Sequence, residues 1–375
     1  MRLTFTPVVF ALLGAGPWAR ADSEQHDLRV ELGTEYDSNP DRAEHIAGVT
    51  PILPQAPASP LARLVASGNW SSPLGERAGL ALSGALGGKR FLREEARGDD
   101  VLIVQAGANG TLRLAGRTIL GAAGSYYDAF QRGPVDRRDF RSLTPVLRLE
   151  QGFARAAQLT LGGGYRWFTF KSIDDLSFAG PTAFVNARQI IPGDLAAGEA
   201  DWEWNAGAAL EWRGFAGPAC INDTCTPESS APARLDRFWI GHFEVARTSS
   251  FLLGAGAALH VNESNSRGEA LVRGVFHVRA VAPLPWSLSL STRAELVATH
   301  YQNSLLLVQD PNAGAPRVSI EDENRSTLRV EVARPLAQGF EIGARYVVYT
   351  SFPSRGSVDY FRQTALLYLA VYDER

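Results

Sequence analysis

The stretch that decides the fold is Asp201-Trp-Glu-Trp-Asn-Ala-Gly-Ala-Ala-Leu-Glu-Trp-Arg213, where apolar and polar side chains largely alternate. Successive side chains of a β-strand point to opposite faces, so this stretch predicts a strand with one apolar and one charged face. The apolar face carries Trp202 and Trp204 at one end, Trp212 at the other, and small aliphatic residues between them. An apolar band flanked by aromatic rings is typical of a strand that crosses a membrane in a β-barrel.

The same alternation recurs from Leu28 onward in segments of about ten residues, and a strand that crosses a membrane needs about 9–11. The clearest repeats are 28–35, 288–296, 325–332 and 340–349. We therefore predict an all-β fold, a transmembrane antiparallel up-and-down β-barrel of about 16 strands. The weakest alternation is in Asp174–Gly193, which we expect to be a long loop with one strand near 183–190. Without that strand the count falls to about 14.

The predicted connections alternate in length along the chain. Short turns are expected at 72–75, 115–117, 154–156, 248–250, 283–285 and 336–339, and longer links at 37–59, 93–99, 214–233 and 303–321. Bacterial barrels have short periplasmic turns and long outer loops. Both chain ends are therefore expected at the periplasmic side, which requires an even number of strands.

A soluble β-sandwich also alternates, and it is the main alternative to a barrel. It predicts a core of large residues, whereas the apolar faces here carry many glycines and alanines. A membrane span made of one helix is excluded after the N-terminal segment, because no run of 18 apolar residues occurs there.

The first residues resemble a secretory signal peptide. Arg2 precedes the apolar run 7–14, and Ala19-Arg-Ala21 is a small-x-small cleavage pattern. We expect residues 1–21 to be removed and residues 22–375 to form a single barrel domain in the outer membrane.

The expected partners follow from composition and from the predicted location. A net charge of −3 argues against nucleic acid, and we expect outer-membrane lipid and lipopolysaccharide around the barrel. The aromatic spacing of Tyr368 and Tyr372 favours insertion by the barrel assembly machinery, although Asp373-Glu-Arg375 follows where an aromatic end is usual. Cys220 and Cys225 lie close enough in sequence to close a disulfide in an exported loop.

Acidic and basic residues recur two apart on the polar faces. Because a charge facing lipid costs about 2–4 kcal/mol for arginine or lysine near the bilayer centre, these residues are predicted to line the lumen. The set is Arg29, Glu31, Arg148, Glu150, Glu211, Arg213, Arg273, Arg279, Arg293, Glu295, Arg329, Glu331, Glu341 and Arg345. Two interpretations stay open: the pairs brace the wall, or they line a polar conduit without strong ion selectivity.

Candidates for stacking on sugar rings are Tyr127, Tyr301 and Tyr349, with filling of space as the alternative. No enzyme signature, nucleotide-binding loop or cofactor motif occurs, so we predict a protein that is not an enzyme and holds no cofactor. His242 shares a face with Glu244, which we interpret as a hydrogen bond of the wall.

The first predicted strand leads into Tyr36-Asp-Ser-Asn-Pro40. This entry resembles outer-membrane β-barrels of exopolysaccharide secretion systems, and the chain is similar in length and strand pattern to the barrel domain of the poly-N-acetylglucosamine exporter. A Tyr-Asp-x-Asn entry is also similar to barrels of the surface-lipoprotein export family. The resemblance implies passive conduction of a secreted polysaccharide. No helical tetratricopeptide-type domain precedes the barrel, so a separate periplasmic export partner is expected.

Three other functions stay open at this point. A general diffusion porin would need an inward-folded constriction loop, for which Asp174–Gly193 is the candidate. An outer-membrane enzyme acting on lipid or lipopolysaccharide would need a serine, histidine and acid cluster. A structural or adhesive barrel would have a packed interior.

Overall fold

The computed structural model describes residues 24–40, 45–46, 57–132, 139–154, 156–193, 201–222, 230–302, 306–307, 318–319, 325–351, 358–359 and 361–374. Sixteen antiparallel strands close into one barrel, which confirms the predicted fold class and strand count. The predicted signal peptide, 1–21, lies outside the described residues.

In chain order, the barrel strands are β1 (Gln25–Asp37), β2 (Ser59–Pro73), β3 (Ala78–Phe91), β4 (Val101–Arg113), β5 (Thr118–Gln131), β6 (Phe140–Ala154), β7 (Ala157–Phe170), β8 (Phe178–Ile191), β9 (Asp201–Pro218), β10 (Ala233–Thr248), β11 (Leu252–Ser264), β12 (Leu271–Leu284), β13 (Leu288–Tyr301), β14 (Arg325–Ala337), β15 (Phe340–Ser351) and β16 (Phe361–Glu374). Each strand pairs with its sequence neighbours, and β1 closes the barrel against β16 with Leu32 opposite Leu369.

Short structures lie in the connections between these strands. They are the 3-10 turns Glu94–Asp99, Asp174–Leu176 and Pro285–Ser287, and the strand pairs His45–Ile46 with Val358–Asp359 and Leu306–Leu307 with Val318–Ser319. Across the described ranges, no helix is both long and apolar enough to span a membrane.

The connections at one end of the barrel are mostly tight turns, such as 74–77, 114–117, 249–251 and 338–339. The two longest connections, 38–58 and 302–324, lie at the other end. One connection at the tight-turn end, 192–200, is longer than its neighbours. The sixteen strands place the start of β1 at Gln25 and the end of β16 at Glu374 at the tight-turn end, as the alternation of turn lengths predicts.

The strand predicted near 183–190 is confirmed, but it begins earlier than expected, so less of Asp174–Gly193 is loop than predicted. Phe178–Ile191 is a full strand, β8, that pairs with β7 on one side and β9 on the other. Its alternation is hard to recognise because Pro181 lies inside it and because Phe178 and Phe184 share the face of its polar residues. This segment is therefore part of the wall and does not form a constriction loop.

The two faces of the wall differ as the alternation predicts. On β1, Leu32 is 61% exposed, whereas Glu35 on the other face is 2% exposed. On β9, Trp202 and Trp212 are exposed and Glu211 is buried. Along these strands, apolar side chains that point away from the barrel therefore alternate with polar side chains that their neighbours cover.

Candidate functional site: the charged inner wall

Ion pairs between strand residues that pass over an intervening strand, together with the burial of Glu35 and Glu211, indicate which face is the inner one. Lys89 on β3 lies 2.7 Å from Glu35 on β1, across β2. Arg166 on β7 lies 3.5 Å from Glu211 on β9, across β8. Side chains of alternate strands converge on the concave side of a curved sheet, so the charged face is the inner wall and the apolar face is the outer surface.

The five predicted pairs of charges two residues apart all form ion pairs in the structure. The separations are 4.0 Å for Arg29–Glu31, 2.6 Å for Arg148–Glu150, 2.8 Å for Glu211–Arg213 and 3.2 Å for Arg293–Glu295, and Arg329–Glu331 also pair. Such contacts serve as braces of the wall. That these residues line a conduit stays a prediction.

A charged network ties the first strand of the barrel to the last three. Arg29 lies 2.7 Å from Glu341 on β15. Arg345, also on β15, lies 3.1 Å from Glu31 and 2.8 Å from Glu331. The single guanidinium of Arg345 therefore joins β1 to β14 over the closing strand β16.

Tyr368 on β16 is the centre of this network, although its position in the sequence indicates only an assembly signal. Its hydroxyl donates to Glu331 at 2.8 Å and contacts Glu341 at 3.1 Å. The phenol ring lies flat over Gly343, where an added Cβ would stand 2.3 Å from the ring. Gly33 is the cross-strand neighbour of Tyr368 on the other side. Gly343 leaves the space that the ring occupies, and Gly33 leaves space for the backbone and Cβ of the closing strand.

Three arginines stand side by side on adjacent strands of the inner wall. Arg279 on β12 is directly opposite Arg293 on β13, and Arg293 is directly opposite Arg329 on β14. We call these three residues the arginine row. Like charges placed directly opposite each other in a sheet are destabilising.

Each member of the arginine row has a carboxylate partner: Glu244 at 2.8 Å from Arg279, Glu295 for Arg293 and Glu331 for Arg329. The arginine side chains are 46%, 57% and 47% exposed, and their carboxylate partners 30%, 23% and 13%. The groups that reach the solvent of the barrel interior are therefore mainly the guanidiniums.

Two further basic residues, the predicted Arg273 and also His277, lie on the inner face of β12. Arg273 donates from Nε to Thr299 at 3.0 Å, and His277 lies 3.8 Å from Glu244. His242 contacts Asn205 at 3.3 Å through a ring nitrogen, which is the wall hydrogen bond expected for it.

A row of aromatic rings crosses five consecutive strands of the opposite part of the wall, and we call it the aromatic row. Tyr127 on β5 stacks on Phe140 on β6 at 5.0 Å between ring centroids, and Phe140 stacks on Phe168 on β7 at 5.2 Å. Phe178 on β8 continues the row at 4.9 Å from Phe168, and Phe215 on β9 follows at 5.1 Å. Because neighbouring rings cover one another's faces, the row presents mainly ring edges to the interior.

Arginines pack on this row. Arg213 lies 5.2 Å from the centroid of Phe178 and 4.1 Å from that of Phe238, and Arg234 lies 3.9 Å from that of Phe215. These distances are those of cation–π contacts. The result is a rigid stretch of wall in which each planar cation is held by a ring and by a neighbouring carboxylate.

The aromatic row was not predicted from the sequence, although the spacing of Arg166 and Phe168 on one strand face is visible there. Three tyrosines are the predicted candidates for sugar stacking. Tyr127 has a face covered by Phe140, Tyr301 is buried on β13, and Tyr349 on β15 lies 5.3 Å from the guanidinium carbon of Arg362. The structure does not bring these three together, and sugar binding by each stays a prediction.

The predicted disulfide is only partly described. Cys220 is disulfide-bonded, whereas Cys225 lies outside the described residues, so the pairing stays a prediction. Within the described ranges, no group of three histidine, cysteine, aspartate or glutamate side chains could hold a metal ion.

Comparison with known proteins relates the chain to others by fold. No protein-family model and no curated protein sequence matches it. Among solved structures it is similar to a BenF-like porin from Pseudomonas fluorescens Pf-5, with a TM-score of 0.49 and 10% identity over 94% of this chain and 99% of that one. OccAB3 from Acinetobacter baumannii has a TM-score of 0.48 and 10% identity over 95% and 100%.

A third similar structure is OccK5 (OpdH) from Pseudomonas aeruginosa, with a TM-score of 0.46 and 10% identity over 94% of this chain and 98% of that one. At such identities and TM-scores, these similarities carry no argument about function. The functional argument rests on the barrel itself.

Proposed function

We propose that the protein is a passive outer-membrane channel for polar solutes. The observation that carries the proposal is the division of one closed sixteen-stranded wall into an apolar outer face and an ion-paired inner face. Such a surface fits a bilayer outside and water inside, and barrels of about 16–18 strands are wide enough to leave an aqueous channel. The predicted lumen-lining residues then form the wall of the conduit.

The arginine row supports a modest preference for anions within this channel. Arg279, Arg293 and Arg329 expose more of their side chains than their carboxylate partners do. An anion passing the row would meet guanidiniums first, so the local field favours its entry over that of a cation.

Export of a polysaccharide is the finer hypothesis, and it rests on the resemblance of the Tyr36-Asp-Ser-Asn-Pro40 entry. Sugar rings bind to the faces of aromatic side chains. In the aromatic row, both faces of Phe140 and of Phe168 are occupied by neighbouring rings. We therefore propose a channel for small polar solutes as the main function. Polysaccharide export through the same conduit is the second hypothesis.

The decisive experiment is conductance of the refolded protein in planar bilayers. We expect discrete steps of current in potassium chloride without any added energy source. Absence of steps from protein that shows the heat-dependent gel migration of a folded barrel would refute the channel and favour a closed, structural barrel.

Addition of soluble oligosaccharides to the same bilayer tests the finer hypothesis. Transient block of the current whose duration rises with oligosaccharide length would support a polysaccharide conduit. Unchanged current with every length would refute it and leave the small-solute channel standing.

A further inference from the structure

A charged cluster lies on the outer surface of the barrel, where the conduit does not use it. It consists of Tyr126 and Asp128 on β5, Arg141 on β6 and Lys171 directly after β7. The exposed rings and side chains of Phe130, Leu143 and Trp167 mark the apolar outer faces of the same three strands. By the alternation of each strand, the cluster belongs to those outer faces, which we propose to be in contact with lipid.

The cluster is built around one carboxylate. Asp128 is buried, and it accepts a hydrogen bond from the Tyr126 hydroxyl at 2.7 Å and one from Nε of Arg141 at 3.1 Å. Lys171 forms an ion pair with the same carboxylate, donates to the backbone oxygen of Ala129 at 3.0 Å and lies over the Phe130 ring. Two cations are thus held in fixed positions by one anion.

The charges of the cluster come from three side chains. Arg141 and Lys171 supply two positive charges, and Asp128 supplies the single negative charge that pairs with both. Asp139 lies opposite Lys171, and its carboxylate accepts from the backbone N–H of Gln131. Arg141 binds Asp128 through Nε, while its side chain is 56% exposed. The terminal N–H groups of this guanidinium are within reach of a ligand at the surface.

The position along the barrel indicates what that ligand is. Asp128 is near the last residue of β5, Arg141 is the second residue of β6, and Lys171 follows the last residue of β7, so all three lie at the end with the long connections. That end faces outward in bacterial barrels, and Tyr165 and Trp167 beside it are exposed as in an interfacial aromatic girdle. The cluster then stands at the level of the outer-leaflet headgroups.

We infer that this cluster binds a phosphate group of lipid A, the phosphorylated glycolipid anchor of lipopolysaccharide. A guanidinium presents paired N–H donors that match the oxygens of a phosphate, and an adjacent ammonium adds a point charge. Asp128 positions both cations, and the Arg141 side chain stays more than half exposed. The inference rests on the membrane location in the proposed function, but it does not require an open channel.

The test is native mass spectrometry of the detergent-solubilised, folded barrel with added diphosphoryl lipid A. We expect one retained lipid A molecule on the wild type and binding weakened about tenfold or more in R141Q/K171Q, the effect of losing hydrogen bonds to a charged group. The matched control is R247Q/R334Q, which removes two positive charges from outer faces at the opposite end of the barrel. We expect the control to bind lipid A like the wild type.

Several results would overturn the inference: equal retention by R141Q/K171Q and the wild type, or equal loss in the control variant. Equal binding of dephosphorylated lipid A would show that the site does not recognise the phosphate. Equal binding of phosphatidylglycerol would show that the site does not select lipid A. Because binding is measured without a bilayer current, a barrel that binds lipid A but does not conduct would refute the proposed function alone. A barrel that conducts but does not bind lipid A would refute this inference alone.

Discussion

Removal of the arginine row should reverse the ion preference of the channel. In the variant R279Q/R293Q/R329Q, three solvent-reaching guanidiniums are replaced by neutral amides of similar polarity. Their partners stay in place: Glu244 and Glu295 lose these counter-charges, and Glu331 keeps only Arg345. The field at this level of the conduit should therefore change from positive to negative.

The size of the effect follows from the exposure of these side chains. Because about half of each side chain is exposed, water sets the effective dielectric constant, and an anion about 4 Å from one guanidinium gains about 1 kcal/mol. At about 0.1 M salt the screening length is about 10 Å, so a passing anion interacts with one or two members of the row. The loss of about 1–2 kcal/mol corresponds to about five- to thirty-fold in relative anion permeability.

The assay is the reversal potential of the current across a gradient of potassium chloride. The wild type should reverse at a potential of the sign expected for an anion-preferring channel, and the triple variant at a potential of the opposite sign. A useful control is R148Q, because Arg148 is largely covered beside Glu150, with only 12% of its side chain exposed. If the triple variant and the wild type reverse at the same potential, the argument from exposure is wrong.

Three further predictions concern the wall. In G343A, the new Cβ would collide with the Tyr368 ring, so the unfolding temperature in detergent should fall by an amount equivalent to about 1–3 kcal/mol. The control G87A has open space around its new Cβ and should unfold like the wild type. In E211Q, Arg166 and Arg213 lose the carboxylate between them, and we expect a loss of about 3–5 kcal/mol in urea titrations; a loss below about 1 kcal/mol would contradict a buried network. Folded protein should migrate differently from boiled protein on gels, and identical migration would contradict the barrel.

Much of the fold could be predicted because a membrane wall must keep the same polarity pattern on every strand. The stretch from Asp201 to Arg213 displays both the apolar and the polar face of a strand. The lengths of the turns indicate on which side β1 begins and β16 ends. The pattern fails where a strand contains proline or carries aromatic rings inward. Pro181 and Phe184 have this effect on β8, which therefore resembled a loop.

From the sequence, the contacts of the candidate site could be predicted only within a single strand. Pairs two residues apart, such as Arg293 and Glu295, share a face whatever the register. The arginine row and the aromatic row depend on which residues of neighbouring strands are opposite each other. That register is determined by turns and closure, so Arg279 and Arg329 look like independent charges in the sequence.

The seam at which β1 meets β16 has a consequence for how the chain reaches its folded state. The contacts of the seam join residues more than 300 positions apart: Arg29 to Glu341, Glu31 to Arg345 and Asp37 to Arg362, with separations of 312, 314 and 325. Contacts of such long range carry the largest loop-closure cost and form slowly.

Until β16 is in place, β1 and β15 both have an open edge, and the carboxylates of Glu31 and Asp37 lack their cations from the far end of the chain. The last strand to be synthesised thus completes the hydrogen bonds and the charge pairs of the first. Folding should therefore be governed by a late closing step, before which partly assembled sheets are prone to associate through their open edges.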